Sequence, residues 1–267
     1  MNVTYAIRNR SRGVIYWISS MVIQTSPTPI RSIGLVLCLA AIALLADANP
    51  LDATSSSSSA PVIVIGFVGG FVRHDAGVHG AVQLVERLKR DYPSGVFAQV
   101  FENHHRELAY AEIIRNLDAD HNGTLSMEEK RNARIILYGH SWGASEAIML
   151  ARELGKLGIP VLLTVQVDSV SKPGQNDKLI PANVAEAANF YQLDGFVHGQ
   201  RQISAADPAR THIVGNFRLD YKAHPLDCRQ YPWWDLVFMK PHTEIECDPK
   251  VWSQVEALIH SRLPSQH

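Results

Sequence analysis

A chain of 267 residues, 46% hydrophobic and 19% charged, has the make-up of a globular protein with a sizeable core. Its formal charge of -1 and its lack of any Lys/Arg run exclude a nucleic-acid surface, which would need a basic stripe to meet phosphates. The 12 histidines are scattered, and most read as ordinary polar residues.

The first segment reads as an address. Arg31 precedes an apolar stretch from Ile33 to Leu45 that runs into Ala46-Asp47-Ala48. That is a positive n-region, an h-region and a small-residue cleavage signal, so 1–48 is expected to be a signal peptide, with Met21 as an alternative start. The apolar run falls short of the ~20 residues of a spanning helix, so no stable membrane span is expected after processing, with an uncleaved anchor as the alternative. Ser55 to Ser59 makes 49–60 a flexible linker by composition. The protein is expected to be secreted or periplasmic. In an oxidising compartment Cys228 and Cys247 are expected to pair, with two buried thiols as the alternative.

One domain is expected over 61–267. Pro61 to Phe67 is a continuous apolar run ended by glycine, the mark of a strand buried on both faces. Ala76 to Tyr92 has helical spacing, Val96 to Phe101 reads as a second strand and Leu108 to Leu117 as a second helix. Arg134 to Tyr138 is a third strand, followed by a helix over Ala144 to Leu157 and a fourth strand over Pro160 to Val167. Val184 to Tyr191 reads as helical, Thr211 to Asn216 as a fifth strand, Leu236 to Met239 as a candidate sixth, and Pro249 to Leu263 as a closing amphipathic helix. Strands alternating with helices imply α/β architecture: a compact, doubly wound, mostly parallel sheet with helices on both faces. Ligands bind such sheets at the carboxyl ends of the strands.

Gly139-His140-Ser141-Trp142-Gly143 stands between the third strand and its helix. Strand, G-x-S-x-G, helix is the nucleophile-elbow pattern: the glycines permit a tight turn, and the serine sits at the positive end of a helix dipole. A serine there needs a base to take its proton and backbone donors to meet an oxyanion. The Trp142 amide is one expected donor. The other is expected in the glycine-rich loop after the first strand, at Phe67. From Pro61 onward the sequence resembles the α/β-hydrolase superfamily, lipases and esterases in particular. Gly66-Phe67-Val68-Gly69 is similar to that family's H-G-F-x-G oxyanion loop, with Ile65 in place of the usual His.

The resemblance implies a catalytic histidine after the acid and just before the last helix, a place held by His242, with His224 as the rival. Most members place the acid after the later strand, which favours Asp220; a subset places it one strand earlier, which favours Asp168. An aspartate ending a largely apolar strand is costly without a partner, and Asp168 is the expected acid. The expected activity is cleavage of carboxylic esters, small-molecule or lipid, with no organic cofactor. Thioester or peptide cleavage by the same residues, and an inactive calcium-binding module, are the alternatives.

Residues 118–129 also fit the twelve-residue EF-hand loop. Asp118, Asp120 and Asn122 take its first three ligand positions, Gly123 the turn, and Thr124 the carbonyl position. Ser126 and Glu129 follow at the last two, so calcium is the expected metal. No second loop exists to pair with it, and its exiting helix is cut short by the elbow strand, which points to a structural clamp.

Overall fold

The computed structural model describes residues 61–264, so the expected signal peptide and linker lie outside the described residues. Seven residues from Val62 to Val68 form β1, and they are buried on both faces because helices cover both. Alternation along the strand divides them: Val62, Val64 and Val68 enter one core, Ile63, Ile65 and Phe67 the other.

The chain continues through α1 (Gly80–Asp91), β2 (Val96–Glu102), α2 (Arg106–Leu117), a short α3 (Met127–Arg131), β3 (Ile135–His140), α4 (Trp142–Lys156) and β4 (Val161–Val167). It then forms β5 (Leu179–Ile180), β6 (Val184–Tyr191), β7 (Ser204–Ala205), β8 (His212–Arg218), α5 (Trp233–Phe238), α6 (Lys240–Cys247) and α7 (Pro249–His260). Six strands make one sheet in the order β2-β1-β3-β4-β6-β8, and every pairing in it is parallel. A separate parallel pair, β5 with β7, stands apart. Residues of α1 and α7 fill the core on one face, and residues of α2 and α4 fill it on the other. Strand order reverses between β1 and β3, and the elbow sits at their carboxyl ends, where sheets of this kind bind ligands.

Two segments differ from the sequence expectation. Val184 to Tyr191 is strand β6, held between β4 and β8, and not a helix. Its alanines and glutamate favour a helix locally, but pairing on both sides and burial of Ala187, Ala188 and Phe190 outweigh that preference. Leu236 to Met239 forms no sixth strand; residues up to Phe238 belong to α5, which runs almost directly into α6. Cys228 and Cys247 are joined in a disulfide that ties the loop before α5 to the end of α6.

Candidate active site

Ser141 follows β3 immediately and caps α4 with φ 56° and ψ -126°, a conformation that non-glycine residues rarely adopt. The turn has no room for side chains on either side. A Cβ on Gly139 would stand 2.5 Å from the Gly143 carbonyl carbon, and one on Gly143 would strike the Phe67 carbonyl. Backbone bonds fix the turn from the neighbouring strand: Ser141 N–H donates to the Val167 carbonyl at 3.0 Å, and Val170 N–H to the Ser141 carbonyl at 3.3 Å.

Asp168 occupies the matching place one strand along, immediately after β4, and also at positive φ (43°). Its N–H continues the ladder to the Phe190 carbonyl at 2.7 Å, and its side chain is completely buried. Four donors surround the carboxylate. Oδ1 accepts from the amides of Gly199 (2.6 Å) and Gln192 (3.2 Å), and Oδ2 accepts from Gln192 Nε2 (2.8 Å) and lies 2.7 Å from His242 Nδ1. His242 Nε2 lies 2.9 Å from Ser141 Oγ. A carboxylate oxygen at Nδ1 places the ring proton on that nitrogen and leaves the Nε2 lone pair facing the serine hydroxyl. The structure thus brings Ser141, His242 and Asp168 into one chain of contacts. The rivals are elsewhere: Asp220 is exposed and accepts from the amide of Ala223, and His224 is exposed.

His242 is carried on α6, not on a loop after a strand. The ring of His140, the residue before Ser141, lies 4.6 Å from that of His242 at 34°. Burial pushes the His140 imidazole down to about 4, although the nearby Glu246 carboxylate acts the other way.

Phe67 does not have the position expected of an oxyanion donor. It lies within β1, paired with Phe101 and Gly139, and its ring is in the core. Ile63 N–H donates toward β3, to the Arg134 carbonyl at 2.8 Å, and strand alternation directs the Phe67 N–H the same way, into the ladder. The chain leaves the sheet only at Gly69, where a Cβ would come within 2.9 Å of Ser141 Cβ. The segment passing Ser141 is therefore Gly69-Gly70-Phe71. Trp142 is the first residue of α4, so its amide is one of those a helix leaves free at its start. Phe71, 94% exposed, packs edge-on against the Trp142 ring.

A buried ion network braces the same region. Glu146 on α4 pairs with Lys172 Nζ at 2.8 Å and with Arg106, and accepts from Gln175 at 2.7 Å. Lys172 also donates to the Asn103 carbonyl and stands 6.0 Å from the Trp142 ring centre. Sequence reasoning gave no role to Gln192 or Gly199, whose part becomes visible only where they fold over Asp168.

The loop over 118–129 closes on itself between α2 and α3. Asp118 accepts from the amides of Asn122 and Gly123, and Asn122 Oδ1 from the amide and hydroxyl of Thr124. Glu129 accepts from the amides of Ala119 and Ser126, and Ser126 caps α3 reciprocally. Carboxylate oxygens of Asp118, Asp120 and Glu129 lie within 4.8 Å of one another. The donors are all oxygen, and Gly123 takes the left-handed conformation (φ 80°) at the turn, so the residues fit a hard cation such as calcium.

No family model and no curated protein matches the chain. Among solved structures, one described as a YdeN-like hydrolase, from Pectobacterium atrosepticum, is 14% identical over 78% of this chain and 95% of its own, with a TM-score of 0.37. A cutinase-like protein from Cryptococcus sp. is 13% identical over 79% and 98%, with a TM-score of 0.41. A thermostable esterase from Pseudomonas putida is 10% identical over 79% and 77%, with a TM-score of 0.38. With six parallel strands, helices on both faces and the elbow following β3, this chain has the α/β-hydrolase fold.

Proposed function

We propose that the protein is a serine hydrolase that cleaves carboxylic esters through an acyl-enzyme. The observation that carries this reading is the placement of His242 between Asp168 and Ser141, at 2.7 and 2.9 Å. His242 takes the proton of Ser141 Oγ through Nε2 as the oxygen attacks the ester carbonyl, and the carbonyl oxygen becomes an oxyanion. Asp168 holds the Nδ1–H tautomer and supports the imidazolium that forms. The Trp142 amide and the Gly70-Phe71 segment supply the oxyanion donors, at the start of α4 where the helix dipole favours negative charge. Collapse of the intermediate passes the proton from His242 to the leaving alcohol. Water activated by the same ring then releases the acid.

Apolar side chains beside the nucleophile, Phe71 against Trp142, support an apolar acyl group, in a small-molecule or a lipid ester. Among the described residues no helix is long and apolar enough to cross a membrane. The leader pattern over 1–48 supports export, to the outside of the cell or to the periplasm. Asp118, Asp120, Asn122, Thr124, Ser126 and Glu129 would hold calcium as a clamp between α2 and α3, and the ion would take no part in the reaction. Calcium should raise the melting temperature, a chelator should reverse this, and Asp118→Ala should abolish both effects; a melting temperature indifferent to both sinks the calcium assignment.

A fluorophosphonate probe tests the enzyme itself. Labelling of the wild type that vanishes in Ser141→Ala is the expected result. An unlabelled, folded, calcium-supplied wild type would overturn the reading and favour an inactive binding module.

A further inference from the structure

Behind the base lies a second group of buried titratable side chains that the reaction above does not use. Glu246 stands one turn beyond His242 on α6 and is 5% exposed. Its Oε1 lies 2.6 Å from His79 Nδ1, just before α1, and its Oε2 lies 3.4 Å from His140 Nδ1. His140 in turn has its ring against that of His242. His79 is fixed on its other side by the edge-on ring of Tyr231.

We propose that Glu246 is a second positioning carboxylate for the base, acting through His140 on the face of the His242 ring while Asp168 acts at its edge. This rests on His242 being the base of a serine hydrolase.

The charge balance supports the assignment. Burial pushes the Glu246 carboxyl up, but His140, the bond from His79 and the nearby His242 outweigh it and hold the group below its ordinary value. His140 is kept neutral by burial, and its Nε2 is buried with no hydrogen-bond partner. A neutral imidazole with its proton on Nδ1 accounts for both facts: it turns that proton toward Glu246 Oε2, 3.4 Å away, and leaves only a bare lone pair unmatched. A neutral His140 orients the carboxylate without cancelling its charge. The negative charge thus remains next to a ring that must turn positive in the transition state. A buried charge costs several kcal/mol, and an apolar side chain would hold α6 against the sheet at lower cost. The other titratable groups facing His242 are Asp168 from the end of β4, Ser141 from the elbow and Asp235 from α5; Asp235 and Tyr231 also face Glu246.

Removing the charge should lower the proton affinity of His242. In Glu246→Gln the acid limb of the pH profile for labelling Ser141 should move down by about one pH unit. The plateau rate should fall roughly tenfold. Glu246→Asp should restore most of both. A purely structural Glu246 would lower the melting temperature and leave the limb in place, and that result overturns the proposal. Nuclear magnetic resonance titration of the His242 ring reads the same shift without any catalysis, so a protein that labels nowhere would end the hydrolase reading while this coupling was still decided. Should Glu246→Gln fail to fold, ring nitrogen shifts of the wild type decide: Nδ1–H on both His79 and His140 supports the arrangement, and Nε2–H on His140 overturns it.

Discussion

The amide of Gly199 donates to Asp168 Oδ1 at 2.6 Å, from a position where a methyl group would stand 2.5 Å from that same oxygen. Only a residue without a side chain can bring its backbone so close to the carboxylate. Gly199→Ala is expected to push Asp168 away from His242 Nδ1. The rate of ester hydrolysis should fall by at least about tenfold, since small misplacements of reacting groups are expensive. Stability should fall by about 1–3 kcal/mol from the overpacking. Kinetics and a denaturant melt check both, and an unimpaired variant would show that this contact does not set the acid.

Asp168 and Asp220 make a direct pair of tests. In Asp168→Asn an amide faces His242 Nδ1 and can offer it a donor, favouring the wrong tautomer. The rate should fall on the order of 10⁴-fold. Asp220 is exposed, bonded to its own loop at Ala223, and Asp220→Asn should leave the rate within about twofold. The reverse ranking would return the acid to the later strand.

Ser141 pays for its placement in backbone strain, at φ 56° and ψ -126°. Ser141→Gly should relieve that strain and stabilise the fold by about 1 kcal/mol while abolishing probe labelling. A melting temperature no higher than that of Ser141→Ala would argue that the elbow is unstrained.

Stability should also depend on pH through His140. Its imidazole is held at about 4 in the folded protein against an ordinary value of 6.5. Between those values the unfolded chain binds a proton that the folded chain refuses, so stability falls as pH drops from about 6.5 to about 4 and this contribution then levels off. Glu246, also held below its ordinary 4.5, adds a second loss that begins below that pH. Thermal melts across this range should show the slope, and His140→Asn should flatten the part above pH 4.5. A wild-type profile flat from pH 6.5 to 4.5 would mean that His140 charges freely in place.

The elbow was legible because G-x-S-x-G was read together with the apolar strand before it and the helix after it. Asp168 was legible for a different reason: a carboxylate ending an apolar strand demands a partner. Phe67 lies inside β1, which continues through Val68, because a motif does not say where a strand stops pairing. The strand at Val184 to Tyr191 was hidden behind helix-favouring alanines, and only its neighbours β4 and β8 decide its form. Nothing local marks Gln192, Gly199, His79 or Glu246. Their roles arise from contacts 24, 31 and 167 residues away in sequence, a distance over which no spacing rule operates.

The bond between Cys228 and Cys247 has a consequence for the integrity of the chain. Between them lie α5 and α6 up to its last residue, including the exposed Trp233, Val237 and Phe238, which a protease can reach. A cut there would separate Ser141 and Asp168 on one fragment from His242 or the helix behind it on the other, yet the sulfur bridge would keep the two fragments one molecule. Nicked protein should migrate as a single species until it is reduced, so the fold carries a splint across an exposed helical segment.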